Sequence, residues 1–476
     1  MSIRVTDPFG QPLNRRRFLA MSGAAGMSAL LAACAAPAAA PASAPAAAPA
    51  TTAPSADQPA QAAPAAGDVK LDFLNENWGD IYNKLMEEIS TDYKKEKPTV
   101  TVDWNFDPEW QTKLTTLLAA GTPPDAVIMR PGPLANLASK GQLLDLSTLI
   151  QQSGVTRDDF VTPIYDSGTY NGKQYAVPGG ADYICLFYSK SLYQEAGLDP
   201  EKPPLTTEEF MAHSKAIFKK DAGGDIQRIG YIPASGHLIN WSYIFGGKFF
   251  DSATNKITAN DAGVVAALEY MTSFVSLYDV NKLAAFNSRP GMYEAGNPFS
   301  TKQSAYALDG FWTYEAMDQY SPDINYGVSF WPTLEDSDAS RSRYAISGWM
   351  YSIPAQSKNV DAAWDFLRYA FIEKSARMGY LTLNGPCIKK AFTEWEEGLI
   401  KKMGATNRMA NYLPVFSKTG ALATNFFPII PVQSFYTDQL TAAYDKVIRG
   451  EMTAKAALDE VTTNVQAELD KAMKGA

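Results

Sequence analysis

The sequence predicts an α/β protein with two lobes, and two observations support this prediction. From Val69 onward, short β-rich runs alternate with amphipathic helical stretches, as in proteins whose parallel strands are connected by helices. The chain has 476 residues, whereas one domain usually holds roughly 100–200 residues. Two folded lobes are therefore expected.

The alternation is clearest at the start of this region. Residues 69–74 alternate apolar and polar side chains as a strand does, and residues 82–95 have helical spacing. Residues 100–104 and 125–129 predict two more strands. Parallel strands bind ligands at their carboxyl ends. The residues that follow the first and third strands are therefore candidates for ligand contact: Asn75, Glu76, Asn77, Trp78 and Arg130.

The same order continues to the end of the chain, without an internal repeat. Further strands are predicted at residues 174–178, 184–188 and 304–308, and further helices at residues 263–278, 434–449 and 453–472. Asp309, directly after the last of these strands, is another polar candidate.

Residues 1–67 are not expected to belong to the folded lobes. Three arginines, Arg15 to Arg17, precede an apolar stretch that is too short to span a bilayer and that ends in Leu-Ala-Ala before Cys34. Residues 1–33 are therefore predicted to be a twin-arginine-type lipoprotein signal peptide, and Cys34 to carry the lipid. A Sec signal with an arginine-rich start is the alternative. Residues 34–67, rich in Ala and Pro, are predicted to be an extended tether.

Composition and motifs argue against several classes of function. A formal net charge of −9 opposes a nucleic-acid partner, and 2 His with 3 Cys oppose a His-rich or thiolate metal site. The sequence lacks the short motifs of serine hydrolases, P-loop nucleotidases, zinc proteases and dinucleotide-binding enzymes. No catalytic residue, metal or cofactor is predicted. Cys185 and Cys387 are expected to be buried free thiols, with a disulfide as the alternative.

Several segments, taken together, resemble a known family. They are the run at 124–128 with GQLLDL at 141–146, YNGKQYAVP at 170–178, LFYSKSLYQEAGL at 186–198, ALDGFW at 307–312 and the helix start at 357–367. Their order and spacing resemble the extracellular solute-binding proteins of family 1, the group that contains maltodextrin-binding protein. The resemblance extends from about residue 69 to the C-terminus.

The resemblance implies a two-lobed periplasmic-binding-protein fold with a ligand cleft between the lobes. Several crossing segments would form the hinge, and the first would lie near residues 182–185. Lobe one would comprise residues 68–182 plus 328–387, and lobe two residues 186–327 plus 390–476. Ligand capture would close the cleft by hinge bending.

The resemblance and the chemistry of sugars also predict which residues hold the ligand. Aromatic rings suit the apolar faces of a sugar, whereas carboxylates, amides and Arg suit its hydroxyls. Trp312 follows the family's glycine, and Trp349, Trp241 and Asp182 lie in segments that face the ligand in relatives. The predicted set is Trp312, Trp349, Trp241, Trp78, Asp182, Arg130, Asn77, Glu76, Asn240 and Tyr436.

The implied function is capture of a sugar or oligosaccharide for the permease of a bacterial ABC importer. The protein is expected to be an extracytoplasmic monomer that Cys34 anchors to the membrane. One alternative is the same role for glycerol phosphate or another polar solute, with Arg130 as the anchor. A secreted carbohydrate-active enzyme with two opposed carboxylates is another, and an adhesion or sensory module that binds a partner protein is the third.

Overall fold

A computed structural model describes residues 68–474, so the predicted signal, Cys34 and the whole predicted tether lie outside the described residues. The strands of the two larger sheets are numbered in chain order: β1 (Val69–Glu76), β2 (Val100–Asp107), β3 (Ala126–Met129), β4 (Val177–Asp182), β5 (Cys185–Ser189), β6 (Tyr306–Asp309), β7 (Tyr326–Ser329) and β8 (Ser347–Ser352). Shorter strands pair locally: Thr169–Tyr170 with Lys173–Gln174, Lys219–Lys220 with Ile226–Arg228, and Phe250–Asp251 with Lys256–Ile257.

The first sheet has the strand order β2-β1-β3-β8-β4. β1 is parallel to both β2 and β3, which confirms the predicted parallel arrangement. β8 runs antiparallel to β3 and β4. In β1 the side chains of Leu71 and Phe73 are fully buried and those of Lys70 and Asp72 are exposed, because successive side chains point to opposite faces of a sheet.

The second sheet has the order β6-β5-β7, and both outer strands are antiparallel to β5. Every residue of β5 is buried, which explains why its sequence is apolar without alternation. Cys185 in β5 and Cys387 are buried free thiols, as predicted. The two sheets and the helices around them form the expected two α/β lobes.

Helices cover both sheets. The α-helices before β4 are Asp80–Glu96, Trp110–Ala119, Pro131–Ser139, Ser147–Gln152 and Thr162–Asp166. Those between β5 and β8 are Lys190–Glu195, Thr207–Ile217, Leu238–Ile244, Ala262–Tyr278, Val280–Asn287, Thr313–Tyr320 and Asp338–Arg341. Those after β8 are Val360–Arg368, Ser375–Thr382, Phe392–Met403, Leu413–Leu422, Gln433–Ile448 and Ala454–Lys474. Within this part of the chain, none of the helices is apolar enough over a sufficient length to cross a membrane.

Hydrogen bonds join the segments that pass between the lobes. The chain leaves β4 at Asp182 and enters β5 at Cys185, so that only two residues separate the strands. Tyr344 Oη donates to the Asp182 carbonyl at 2.9 Å and accepts from the Ile184 N–H at 3.0 Å. Tyr183 Oη donates to the Pro386 carbonyl at 2.8 Å. The crossing segments are therefore held to one another beside Asp182.

The second crossing lies later in the chain than the sequence predicts. Residues from 328 were assigned to lobe one, but Val328 and Ser329 pair with β5 in the second sheet. The Trp331 ring then packs on Trp241 with centroids 5.3 Å apart, and the Ala345 N–H donates to Asn240 Oδ1. The chain returns to the first sheet only at β8, so the predicted boundary at residue 328 is wrong.

Candidate ligand-binding cleft

The carboxyl ends of β1, β3 and β4 meet at one edge of the first sheet. They place Glu76, Arg130 and Asp182 close together there, and Ser347 begins β8 at the same edge because β8 runs the other way. This is the edge at which open α/β sheets bind ligands. Loops after these strands therefore present polar side chains toward lobe two.

Arg130 and Glu76 form an ion pair in this wall. The guanidinium donates from Nη2 and Nε to Glu76 Oε2, at 2.9 and 3.3 Å. Each side chain keeps about a third of its surface exposed, 34% for Arg130 and 31% for Glu76. The positive charge of Arg130 is thus balanced by its own neighbour, while part of the guanidinium still faces the cleft.

Asp182 accepts hydrogen bonds at both carboxylate oxygens. Asn384 Nδ2 donates to Oδ1 and Ser347 Oγ donates to Oδ2, each at 3.0 Å. Burial raises the pKa of Asp182 above its ordinary value, and the nearby Arg130 charge opposes this shift. Because each carboxylate oxygen can accept more than one hydrogen bond, Asp182 has capacity for ligand hydroxyls.

Trp349 lies in a slot made by two glycines of β4. A Cβ on Gly179 would lie 2.2 Å from Trp349 Cζ3, and a Cβ on Gly180 would lie 2.5 Å from Cε2. The register of β8 against β4 shifts directly after Trp349, a bulge that redirects its side chain. Its Nε1 donates to Asn384 Oδ1 at 3.2 Å, and the Trp78 ring packs on it with centroids 5.2 Å apart.

The wall from lobe two consists of Trp312 and Tyr293. The Trp312 ring lies over Gly310, where a Cβ would be 2.2 Å from Trp312 Cη2. Trp312 Nε1 donates to Tyr293 Oη at 2.7 Å, and that hydroxyl donates to Asp309 Oδ2 at 2.6 Å. Both rings keep surface exposed, unlike Trp349.

Residues of both lobes line one cavity of about 400 Å³. The lining residues are Trp78, Tyr82, Arg130, Asp182, Tyr293, Trp312, Trp349, Thr382 and Asn384. Five of them are aromatic, and this mixture of apolar faces and a few polar groups is typical of small-molecule sites. A larger groove of about 850 Å³ lies between residues 157–166 and 414–424, but Phe392 is its one aromatic lining residue.

Five of the residues predicted from the sequence line this cavity: Trp78, Arg130, Asp182, Trp312 and Trp349. Glu76 lies beside it through its pairing with Arg130. Asn75 is fully buried behind the wall, where its Oδ1 accepts from Tyr351 Oη at 2.6 Å.

Two aromatic predictions are wrong because the side chains belong to the core of lobe two. Trp241 is fully buried, its Nε1 donates to Tyr231 Oη at 3.1 Å, and its ring packs on Tyr270 with centroids 5.0 Å apart. Tyr436 is also fully buried and donates to the Phe249 carbonyl at 2.9 Å. Neither residue presents surface to the cleft.

Two predicted amides have structural partners instead of a place in the cavity wall. Asn240 Oδ1 accepts from the Ala345 N–H at 2.9 Å, which ties the second crossing to lobe two. Asn77 Oδ1 accepts from the Gly79 N–H at 2.9 Å and from Asn83 Nδ2 at 3.0 Å. Neither amide lines the cavity.

Sequence reasoning missed four cavity residues: Tyr82, Tyr293, Thr382 and Asn384. Asn384 had a usable signal, because it stands before Gly385 and Pro386 in a segment that passes between the lobes. Tyr293 lies in a loop with no periodicity, and its position depends on partners distant in sequence.

Comparisons with known proteins agree with this architecture. The family model for bacterial extracellular solute-binding proteins matches residues 75–376. A maltooligosaccharide ABC transporter solute-binding lipoprotein of Streptococcus pneumoniae is 24% identical over 430 residues, covering 85% of this chain and 93% of the relative. The diacetylchitobiose binding protein DasA of Streptomyces coelicolor is 25% identical over 268 residues, covering 56% of this chain and 60% of the relative.

Solved structures share the fold. The sugar-binding protein MalE of Xanthomonas citri superposes with a TM-score of 0.68 at 20% identity, covering 85% of this chain and 98% of its own. An ABC substrate-binding protein of Listeria monocytogenes in complex with cycloalternan also superposes with a TM-score of 0.68 at 20% identity. The superposition covers 85% of this chain and 99% of that protein.

The two lobes and the cavity between them define a two-lobed binding protein of the periplasmic-binding-protein fold. Since the family model matches more than half of its length, the chain belongs to the bacterial extracellular solute-binding proteins. This family and the structural neighbours are binding proteins.

Proposed function

We propose that this protein captures a neutral sugar or oligosaccharide outside the cytoplasm and delivers it, unchanged, to the permease of an ABC importer. The observation that carries the proposal is the single cavity that combines five aromatic side chains with Arg130, Asp182 and Asn384. Aromatic planes match the C–H faces of a sugar ring, and the polar groups match its hydroxyls. The names of the relatives and structural neighbours support the same ligand class.

The charges of the cleft favour a neutral ligand over a phosphorylated one. Among the residues that line the cavity, Arg130 is the one cation, and Glu76 already neutralises it. An anionic ligand would also approach the Asp182 carboxylate, which has like charge. A hydroxyl-rich neutral solute meets donors and acceptors without that repulsion.

We also propose that the protein is attached to the membrane, and we propose residue bounds for the two lobes. Lipid attachment at Cys34, with residues 1–33 removed and residues 34–67 as a tether, rests on the sequence alone. Replacing Cys34 by Ala is expected to release the protein from the membrane fraction into the soluble fraction.

We propose lobe one as residues 68–182 plus 347–387 and lobe two as residues 186–346 plus 390–476. The protein is proposed to act as a monomer, which light scattering tests.

The primary test is thermal unfolding of the Cys34→Ala protein against mono- and oligosaccharides and glycerol phosphates. A ligand at 100 times its Kd adds about 2.7 kcal/mol to the free energy of unfolding, which raises the midpoint by a few degrees. A saturable shift with one sugar, recovered intact, supports the proposal. A shift with glycerol phosphate alone contradicts the neutral-ligand part, and recovery of a cleaved sugar would establish an enzyme.

A further inference from the structure

Tyr293 lies in the loop, residues 288–305, that joins the helix Val280–Asn287 to β6. It is 52% exposed, the highest value among the large hydrophobic side chains of the described residues. Even so, its hydroxyl has two hydrogen-bond partners, and its ring lines the ligand cavity. An aromatic ring that is exposed yet fixed at its polar end is suited to contact a ligand.

The hydroxyl of Tyr293 lies in a short relay. It accepts from Trp312 Nε1 at 2.7 Å and donates to Asp309 Oδ2 at 2.6 Å. Asp309 Oδ1 accepts from the Gly310 N–H at 2.7 Å, so the carboxylate is fixed at the end of β6. The relay therefore holds two aromatic rings of lobe two in one arrangement.

The loop that carries Tyr293 is itself built to hold a shape. Asn297 is 1% exposed, and its Nδ2 lies 3.1 Å from the carbonyl oxygens of Met292 and Glu294. At the base, the Arg289 guanidinium lies 4.0 Å from the centroid of the Phe286 ring. These contacts organise the loop without any ligand.

Behind the loop is a second cavity of about 420 Å³, lined mainly by apolar groups that include Met292, Phe299 and Leu308. Tyr293 lines the ligand cavity and does not line this second cavity.

We propose that Tyr293 is a further ligand-binding residue, that it forms with Trp312 a two-ring platform for the apolar face of a sugar, and that Asp309 is the positioning residue of this platform. The proposal rests on the proposed function, since it takes the ligand to be a sugar. The platform adds two ring faces from lobe two to the aromatic side chains that lobe one contributes, namely Trp78, Tyr82 and Trp349.

The test measures Kd by titration calorimetry with maltotriose and mannobiose as probes, joined by any sugar that shifts the unfolding midpoint. Tyr293→Ala is expected to weaken binding at least about tenfold, with an unchanged midpoint because the side chain is half exposed. Tyr293→Phe keeps the ring and loses the relay, so a smaller loss of about threefold is expected. Tyr320→Ala is the matched control, since Tyr320 is an exposed tyrosine of the same lobe outside the cavity.

The role of Asp309 is tested by non-additivity. If Asp309 acts through Tyr293, then adding Asp309→Asn to Tyr293→Phe weakens binding no further, whereas direct contact with the ligand gives additive losses. In the unliganded protein, Tyr293→Phe removes the hydrogen bond to Trp312 Nε1 and is expected to shift the wavelength of tryptophan emission. The same substitution in a Trp312→Phe protein is expected to leave the emission wavelength unchanged.

Wild-type affinity in Tyr293→Ala overturns this proposal and leaves the proposed function intact. Binding of a non-sugar solute alone by the wild type overturns the proposed function instead, and the platform with it. Absence of the emission shift overturns the relay.

Discussion

The two walls of the cleft present tryptophans in different ways. In lobe one, Trp349 is 2% exposed and lies in a slot between strands, against Gly179 and Gly180. In lobe two, Trp312 is partly exposed and is held by one hydrogen bond to Tyr293 on a loop. One ring is part of the core of its lobe, and the other is a surface group with a fixed orientation.

The polar groups follow the same division. The wall of lobe one carries the Arg130–Glu76 pair and Asp182, each fixed at the end of a strand. The carboxylate nearest the platform of lobe two, Asp309, is occupied by the Tyr293 hydroxyl and the Gly310 N–H. Under the proposed function, the comparison teaches that lobe one uses the same residues for folding and for recognition, whereas lobe two separates the two roles.

The largest expected difference comes from removing each tryptophan. Trp349→Ala should lower the free energy of unfolding by about 3–5 kcal/mol, since it deletes a buried aromatic side chain. Trp312→Ala should leave this quantity nearly unchanged and weaken sugar binding at least about tenfold. Chemical denaturation and calorimetric titration measure the two effects.

Trp241→Ala provides the control for that pair. Trp241 is buried in lobe two and does not line the cavity, so its loss should cost as much stability as that of Trp349 while the folded protein keeps its Kd. Equal destabilisation by Trp312→Ala would break the proposed separation of folding from recognition in lobe two.

A smaller effect is expected from adding one methyl group under each ring. A Cβ at Gly179 or at Gly310 would meet the neighbouring tryptophan at the same distance, 2.2 Å. In Gly179→Ala the buried ring cannot move away, and overpacking should cost about 1–3 kcal/mol of stability. In Gly310→Ala the Trp312 ring can swing outward, so the Kd should rise with little change in denaturation. The opposite pattern would contradict the comparison.

Asp182→Asn should weaken binding by about 10- to 100-fold, in line with about 1.5–3 kcal/mol for a hydrogen bond to a charged group. Because burial raises the pKa of Asp182 above 3.8, the wild type should lose affinity as the pH falls through this raised pKa. The free energy of unfolding changes with pH in the opposite direction, increasing as the pH falls and Asp182 is protonated. The fold disfavours the charged carboxylate, so the variant should be more stable than the wild type at pH 7, and the difference should shrink as the pH approaches 3.8.

Asp338→Asn is a control of opposite sign, because a hydrogen bond from Lys418 lowers the pKa of Asp338. The charge of Asp338 stabilises the fold above pH 3.8, so this variant should be less stable at pH 7 and should bind sugar normally. Thermal unfolding at several pH values distinguishes the two. A less stable Asp182→Asn protein at pH 7 would show that its hydrogen bonds outweigh the cost of burial.

The sequence predicted the strand-end part of the site better than the loop part. Glu76, Arg130 and Asp182 were accessible to prediction because parallel strands bring their carboxyl ends to one edge. Trp241 was predicted wrongly because its burial depends on Tyr270 and Trp331, which are distant in the chain.

The position of Tyr293 and the position of the second crossing also depend on residues distant in the sequence. Tyr293 was missed because hydrogen bonds to Asp309 and Trp312 decide its position, and no local pattern encodes them. The second crossing was placed too early because β7 pairs with β5, which only the sheet register reveals.

The smallest expected effect concerns the charge balance of lobe one. In Glu76→Gln the Arg130 guanidinium loses its carboxylate partner but stays in the wall. The pair is about one-third exposed at both side chains, so stability should change by less than about 1 kcal/mol. Affinity for a neutral sugar should change by a few-fold at most, whereas glycerol phosphate should gain affinity because a cation is now unbalanced.

Glu195→Gln removes the same charge from a pair with Arg228 outside the cleft and should alter neither affinity. If glycerol phosphate binds the wild type and Glu76→Gln equally, then Glu76 does not restrain Arg130, and the argument for a neutral ligand fails. If only the variant binds it, the carboxylate of Glu76 alone sets the charge specificity of the wall that lobe one contributes to the cleft.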